Sequence, residues 1–163
     1  MILVVVGTEQ WPFDRLVKEV DRLAGAGAFD GEPVFMQLGS CLYRPTHCEW
    51  AERIGFDDML KKVDEARLVV AHAGAGTFLL CRRMGTPEIM MPRRVDRGEH
   101  LDDHQVLFAE RLAAQGLVQT VAEADMLREA MATSVATPVD NDAKPTSPLV
   151  SQLRSLTREW GLS

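Results

Sequence analysis

Two short segments carry residue types suited to chemistry on anionic, hydroxylated ligands. The first is Ala71-His72-Ala73-Gly74-Ala75-Gly76-Thr77. An apolar run, Leu68 to Ala71, stops there, and a helical pattern follows from Thr77 to about Met84. Small residues let a ligand come close to the backbone. A helix start offers free N–H groups and the positive end of the dipole. A diphosphate fits that chemistry at Gly74, Ala75, Gly76 and Thr77, with the Thr77 hydroxyl as a further donor. Spacing alone leaves two readings open, an anion site or a plain tight turn. The dinucleotide fingerprint is absent, because Leu79 stands where a third small residue is required and the next strand closes on Met91-Pro92 instead of an acid. No GxxxxGKS/T phosphate loop occurs.

The second segment runs from Arg93 to Gln105. His104 and Gln105 fall in the first turn of a predicted helix, where their side chains can bond sugar hydroxyls. Arg93 and Arg94 are candidates for a phosphate or a sugar carboxylate. Arginines in a solvated loop are the alternative. Asp102 followed by Gln105 also reads as a capping box, which leaves Asp103 and His104 free for a ligand. His72 and His104 are the candidate acid–base residues. His100 and His104 lie four apart with carboxylates between them, but spacing shows no further ligand cluster, so no metal is expected. Cys41, His47 and Cys48 have the wrong spacing for a structural zinc site, and buried free thiols are expected instead. Trp11-Pro12-Phe13 either lines a ligand or staples a helix start. No G-x-S-x-G turn and no paired acidic motif is present.

The elements that must position these segments follow from apolar periodicity. Ile2 to Val6 is a continuous β-branched run ending at Gly7, the pattern of a strand buried on both faces. Further strands are predicted at Pro33–Leu38, Thr46–Trp50, Leu68–Ala71, Glu88–Met91 and Leu117–Val121. Helices are predicted at Phe13–Leu23, Asp57–Ala66, Thr77–Met84, Asp103–Gln115 and Ala122–Ser134, with Gly85 and Gly116 as caps. Alternating strands and helices imply a Rossmann-like α/β fold, a parallel sheet covered on both faces. Ligands then bind outside the carboxyl ends of the strands, at Gly7–Trp11, Gly39–Tyr43, His72–Thr77 and Pro92–His104. Residues 1–136 are expected to form the domain, 137–148 a linker, and 149–163 a terminal amphipathic helix.

The chain has 163 residues with 46% hydrophobic and 26% charged content, enough for one soluble domain. A net charge of −6 argues against a nucleic-acid partner. Five arginines nevertheless fall between Arg82 and Arg97, against only Glu88 and Asp96, a local excess suited to an anionic small molecule. No run reaches the roughly 18 apolar residues of a membrane span. The N-terminus lacks a basic region and a cleavage site, and the three cysteines form no CxxC pair. These features point to a cytoplasmic protein.

The segments 2–17 (ILVVVGTEQWPFDRLV), 69–87 (VVAHAGAGTFLLCRRMGTP) and 91–109 (MPRRVDRGEHLDDHQVLFA) together resemble the C-terminal domain of family 28 glycosyltransferases. The likeness covers roughly residues 1–135. Within that family the chain most resembles the small soluble subunits of split bacterial exopolysaccharide glucuronosyltransferases. The resemblance implies the donor-binding half of a GT-B enzyme, with a UDP-sugar as donor substrate, UDP-glucuronate among the candidates, and no bound metal or other cofactor. It implies that a membrane-anchored acceptor-binding partner recruits the chain to the inner face of the membrane and supplies the general base. Carried onto this sequence, the diphosphate lies at Gly74–Thr77, the sugar at His104 and Gln105, and Gly7 and Thr8 border the donor. The family pattern also implies an acidic residue for the ribose hydroxyls at a position held here by Leu80. Two other classes remain open, a non-catalytic subunit of a membrane glycosyltransferase and an unrelated UDP-sugar epimerase.

Overall fold

The computed structural model describes residues 1–134; the expected linker and terminal helix lie outside the described residues. Six strands form one sheet: β1 (Ile2–Val5), β2 (Val34–Gln37), β3 (Glu49–Ala51), β4 (Leu68–Ala71), β5 (Glu88–Met90) and β6 (Gln119–Thr120). Their order is β3-β2-β1-β4-β5-β6 and every pairing is parallel. The helices are α1 (Asp14–Gly25), α2 (Phe56–Glu65), α3 (Ala75–Met84), α4 (His104–Ala114) and α5 (Leu127–Thr133). This is the doubly wound α/β architecture the sequence predicts.

The central strands are apolar at every position because both sheet faces are covered. Ile2 and Val4 point to the face packed by Leu16, Val17, Val20 and Leu23 of α1 and by Leu127, Ala130 and Met131 of α5. Leu3 and Val5 point to the other face, against Val63 of α2 and Cys81 of α3. A satellite cluster joins Met90 and Phe78 to Ala109 and Leu112 of α4, and Phe78 meets Phe108 edge to face at 5.9 Å. No helix among the described residues is long and apolar enough to cross a membrane.

The departures from the predicted elements have local causes. The strand expected at Thr46–Trp50 forms only at Glu49–Ala51. The Thr46 and His47 amides donate instead to the buried Asp21 carboxylate, at 3.1 and 2.8 Å. Burial alone would raise the Asp21 pKa, but these amides and the Tyr43 and His47 side chains hold it down at about 2. The helix expected from Thr77 starts two residues earlier, at Ala75, which brings Gly76 into its first turn. The helix expected over Ala122–Ser134 divides into a 3-10 turn at Ala124–Met126 followed by α5.

Candidate functional site

The strand order reverses between β1 and β4, and an open α/β sheet has its crevice at such a switch point. Val5 pairs with Ala71 and with Gln37, so β1, β2 and β4 end level and their following loops converge. Gly7 leaves β1 with φ +79°. Gln37, the last residue of β2, clamps it: the Gly7 amide donates to Gln37 Oε1 at 3.0 Å and Gln37 Nε2 donates to the Gly7 carbonyl at 2.8 Å. Gly39 must lack a side chain, since a Cβ there would collide with that carbonyl.

At the end of β4 the left-handed residue is Ala73, at φ +60°, not a glycine. An alanine in that region is strained, and such strain gathers at functional turns. Gly74 is extended and caps α3. Its constraint is close approach: a Cβ would stand 2.5 Å from His72 Nε2. A Cβ on Gly7 would stand 2.8 Å from the same atom. The His72 ring is thus sandwiched between the two glycine turns, buried, with Nδ1 donating to the Val5 carbonyl at 3.1 Å. Burial lowers its pKa to about 4, so the ring is neutral. The expectation of a catalytic His72 meets a ring that is 8% exposed and spaces the two glycine turns.

The α3 start is uncapped. No side chain bonds its first turn, and the first helical bond is from the Phe78 amide to the Gly74 carbonyl at 3.1 Å. The amides of Ala75, Gly76 and Thr77 therefore have no intrahelical acceptor. The space around Gly76 is open. Beside this helix end lies a cavity of about 280 Å³. Gly7, Thr8, Gly76 and Thr77 form its polar side, and Phe56, Met59 and Leu80 form an apolar wall. Leu80, where a carboxylate was expected, is thus part of a hydrocarbon surface. Gln37, Phe56 and Met59 were not identified from sequence. Gln37 carried one signal, a lone amide at the end of an apolar strand.

The second segment is arranged differently. Arg93 is fully buried. Its guanidinium donates to the carbonyls of Trp11, Val6 (2.6 Å) and Glu99 (3.3 Å), and lies 5.2 Å from the Phe13 ring centroid. The expectation of Arg93 as a donor-binding residue meets a fully buried strut that ties the β1–α1 loop to the loop after β5, with only its Nε left without a partner. Arg94 pairs with Asp96 at 2.9 Å and Glu123 at 3.4 Å, and Arg97 pairs with Glu123 at 2.7 Å. Arg82 and Arg83 lie in the last turn of α3, at the end away from the crevice. Of the five arginines, Arg94 and Arg97 are thus paired with carboxylates, Arg93 is buried, and Arg82 and Arg83 lie away from the crevice. Trp11-Pro12-Phe13 serves the fold, with Phe13 in the core.

Gln105 is buried, and its Oε1 accepts the Arg93 amide at 3.2 Å, which leaves its Nε2 as the group able to meet a sugar. The capping box does not form. Asp103 is the N-cap of α4, and its Oδ1 accepts the Val95 amide at 3.4 Å. Asp102 accepts the His104 amide at 3.0 Å and also faces His104 Nδ1. His104 is exposed, like Asp102. The three cysteines are free thiols, Cys41 and Cys81 buried and Cys48 half-buried; burial pushes Cys41 up to about 11 and Cys48 up to about 12.

Comparison with known proteins agrees with this geometry. The model of the glycosyltransferase family 28 C-terminal domain matches residues 1–158. A UDP-N-acetylglucosamine--N-acetylmuramyl-(pentapeptide) pyrophosphoryl-undecaprenol N-acetylglucosamine transferase of Sinorhizobium fredii is 30% identical over 106 residues, 65% of this chain and 26% of that protein. The calicheamicin glycosyltransferase CalG4 superposes with a TM-score of 0.61 at 22% identity, over 96% of this chain and 37% of that one. A Methanocaldococcus jannaschii UDP-GlcNAc 2-epimerase, solved with UDP-GlcNAc and UDP, superposes with a TM-score of 0.59 at 12% identity, over 96% of this chain and 45% of that one. The chain thus spans about a quarter of that curated relative and under half of each of these structures. Its sheet and helices have the fold of the C-terminal half of a GT-B glycosyltransferase. The chain belongs to the glycosyltransferase family 28 C-terminal domain.

Proposed function

We propose that this chain is the donor-binding half of a UDP-sugar-dependent hexosyltransferase, working with a membrane-anchored acceptor-binding subunit at the cytoplasmic face of the inner membrane. The observation that carries the proposal is the uncapped start of α3 opening onto an apolar-walled cavity at the switch point. The uracil ring rests on Phe56, Met59 and Leu80. The diphosphate lies on the amides of Ala75, Gly76 and Thr77, beside Gly7 and Thr8. The sugar extends toward Asp103, His104 and the Gln105 amide. When the glycosidic bond to UDP breaks, negative charge grows on the diphosphate oxygen nearest the sugar. Preoriented amides and the α3 dipole stabilise that charge without reorganising.

His72 is enclosed, so the base that deprotonates the acceptor comes from the other half or from His104. Leu42, Phe56 and Leu101 are more than two-thirds exposed, and all lie at the carboxyl edge of the sheet. That apolar rim favours a covering half across the crevice. The curated relative's name describes transfer to a pyrophosphoryl-undecaprenol, which supports a lipid-linked glycan or exopolysaccharide product. Arg93 and Arg94 are engaged internally and give no support for glucuronate as the donor sugar.

Calorimetric titration with UDP tests the site. One UDP per chain is expected, and Phe56→Ala should weaken it about tenfold, within the range for loss of a base–aromatic stack. Phe56 is 72% exposed, so the fold tolerates the change. Undiminished affinity in Phe56→Ala would remove the base from this cavity.

A further inference from the structure

We propose that His100, Asp102 and His104 form a binding site for a divalent transition ion of the zinc class, with Glu9 as the carboxylate behind it. Spacing alone offered two histidines with carboxylates between them and no further ligand cluster. The fold supplies the rest. One ligand atom from each of His100, Asp102 and His104 lies within 4.8 Å of the others.

The hydrogen bonds fix the state of the first ligand. The His100 side chain is only 8% exposed, and its Nε2 donates to Glu9 Oε2 at 2.8 Å. The proton therefore sits on Nε2, and Nδ1 carries a lone pair, which the Asp102 amide approaches at 3.4 Å. Asp102 Oδ1 stands 3.5 Å from that same Nδ1. The same Oδ1 accepts the His104 amide at 3.0 Å and is hydrogen-bonded to His104 Nδ1, so the three side chains converge on it. The two rings are held edge to face at 4.6 Å. A cation bound among these three atoms takes the place of the hydrogen bonds that now join them.

Two imidazoles and one carboxylate suit zinc, cobalt or nickel better than magnesium or calcium, which prefer all-oxygen sets. A metal-binding histidine whose other ring nitrogen donates to a carboxylate is the arrangement that orients such ligands. Asp102 and His104 are 63% and 57% exposed, so an ion has an entry path and keeps an open coordination position. With the ion on Nδ1, His104 Nε2 carries the proton and can still donate to a sugar hydroxyl, which leaves the acceptor's base to the other half; the site does not rest on the donor-binding proposal.

A metal titration tests the site. Untagged full chain is titrated with Co²⁺, followed by visible absorption and then by Zn²⁺ displacement. The expected result is a one-to-one complex with d–d bands, no thiolate charge-transfer band, and displacement by Zn²⁺ but not by Mg²⁺. Asp102→Asn and His104→Ala alter exposed side chains, and each should weaken Co²⁺ at least about tenfold with an unchanged far-UV circular dichroism spectrum. Glu9→Gln should weaken it about 10- to 100-fold, as loss of an outer carboxylate does. The proposal is overturned if the folded protein takes up no Co²⁺ at millimolar concentration, if a thiolate band appears, or if His104→Ala binds Co²⁺ as tightly as the parent.

Discussion

The turn from β4 into α3 and the loop from β5 into α4 leave neighbouring strands at the same edge of the sheet. The first has small residues, no ordinary charge, an uncapped helix and open space around Gly76. The second has arginines, carboxylates and histidines, and its charges answer one another: Arg94 to Asp96 and Glu123, Arg97 to Glu123, Arg93 to three carbonyls. The difference teaches where a ligand's binding energy comes from. Donors that the protein has left unsatisfied can serve a ligand; donors already paired serve the fold, however cationic they look in sequence.

The sharpest way to break this comparison is to treat the two neighbouring arginines alike. Arg93→Ala should cost on the order of 4 kcal/mol, because it empties a buried volume and strips three carbonyls of their donor. Arg94→Ala removes exposed pairs and should cost under about 1 kcal/mol, with UDP affinity unchanged. Urea denaturation measures both. Equal costs, or a large fall in UDP affinity for Arg94→Ala, would contradict the division of roles.

The second test uses two buried ionisable groups, His72 in the first region and Glu88 at the start of the strand that leads to the second. His72 has its folded pKa lowered from 6.5 to about 4 by burial, so its neutral form stabilises the fold above pH 6.5 and that stability is lost as pH falls toward 4. Glu88, at the start of β5, has both carboxylate oxygens buried without a hydrogen-bond partner, and burial raises its pKa from 4.5 to about 8. Its protonated form is the one the fold accepts, so stability is full below pH 4.5 and is lost as pH rises through about 8. The two slopes oppose each other below pH 6.5. Between pH 6.5 and pH 8 only Glu88 contributes, a loss of about 2 kcal/mol at roughly 1.4 kcal/mol per pKa unit. Glu88→Gln should flatten this limb in denaturation series run across pH. A limb unchanged by Glu88→Gln would mean that the carboxyl is ionised in the folded protein.

The third test addresses the glycine turn. Gly74→Ala should cost roughly 2 kcal/mol through overpacking against the His72 ring. Combining it with His72→Ala should recover part of that loss, because the Cβ then has room. Additive costs in the double variant, read from thermal melts, would remove the contact as Gly74's constraint.

Much of the fold was legible in the sequence, since β1 and β4 are unbroken apolar runs whose neighbours alternate with amphipathic helices. The glycine turn after β4 was legible as well, although for an incomplete reason. Gly74 is needed for its closeness to His72, and Ala73 takes the left-handed conformation expected of a glycine. The roles of His72, Arg93 and Gln105 were not legible, because each depends on burial by distant residues. Val5 and Gly7 enclose His72, Trp11 and Val6 hold Arg93, and the Arg93 amide takes Gln105. Phe56 and Met59 escaped notice because a helix start read alone does not show which crevice it borders.

The central claim is that the open first turn of α3 receives the diphosphate. Gly76→Asp tests it most directly. The position has open space and helical backbone, and an acid at a helix start is favourable to the helix, so the protein should stay folded. The new carboxylate would occupy the amides and repel a diphosphate, while Gly76→Ala adds a methyl group without charge. Calorimetry should show UDP binding reduced at least about 100-fold in Gly76→Asp, the equivalent of roughly 2.8 kcal/mol, and much less affected in Gly76→Ala. UDP binding of parental strength to a folded Gly76→Asp protein would place the diphosphate elsewhere.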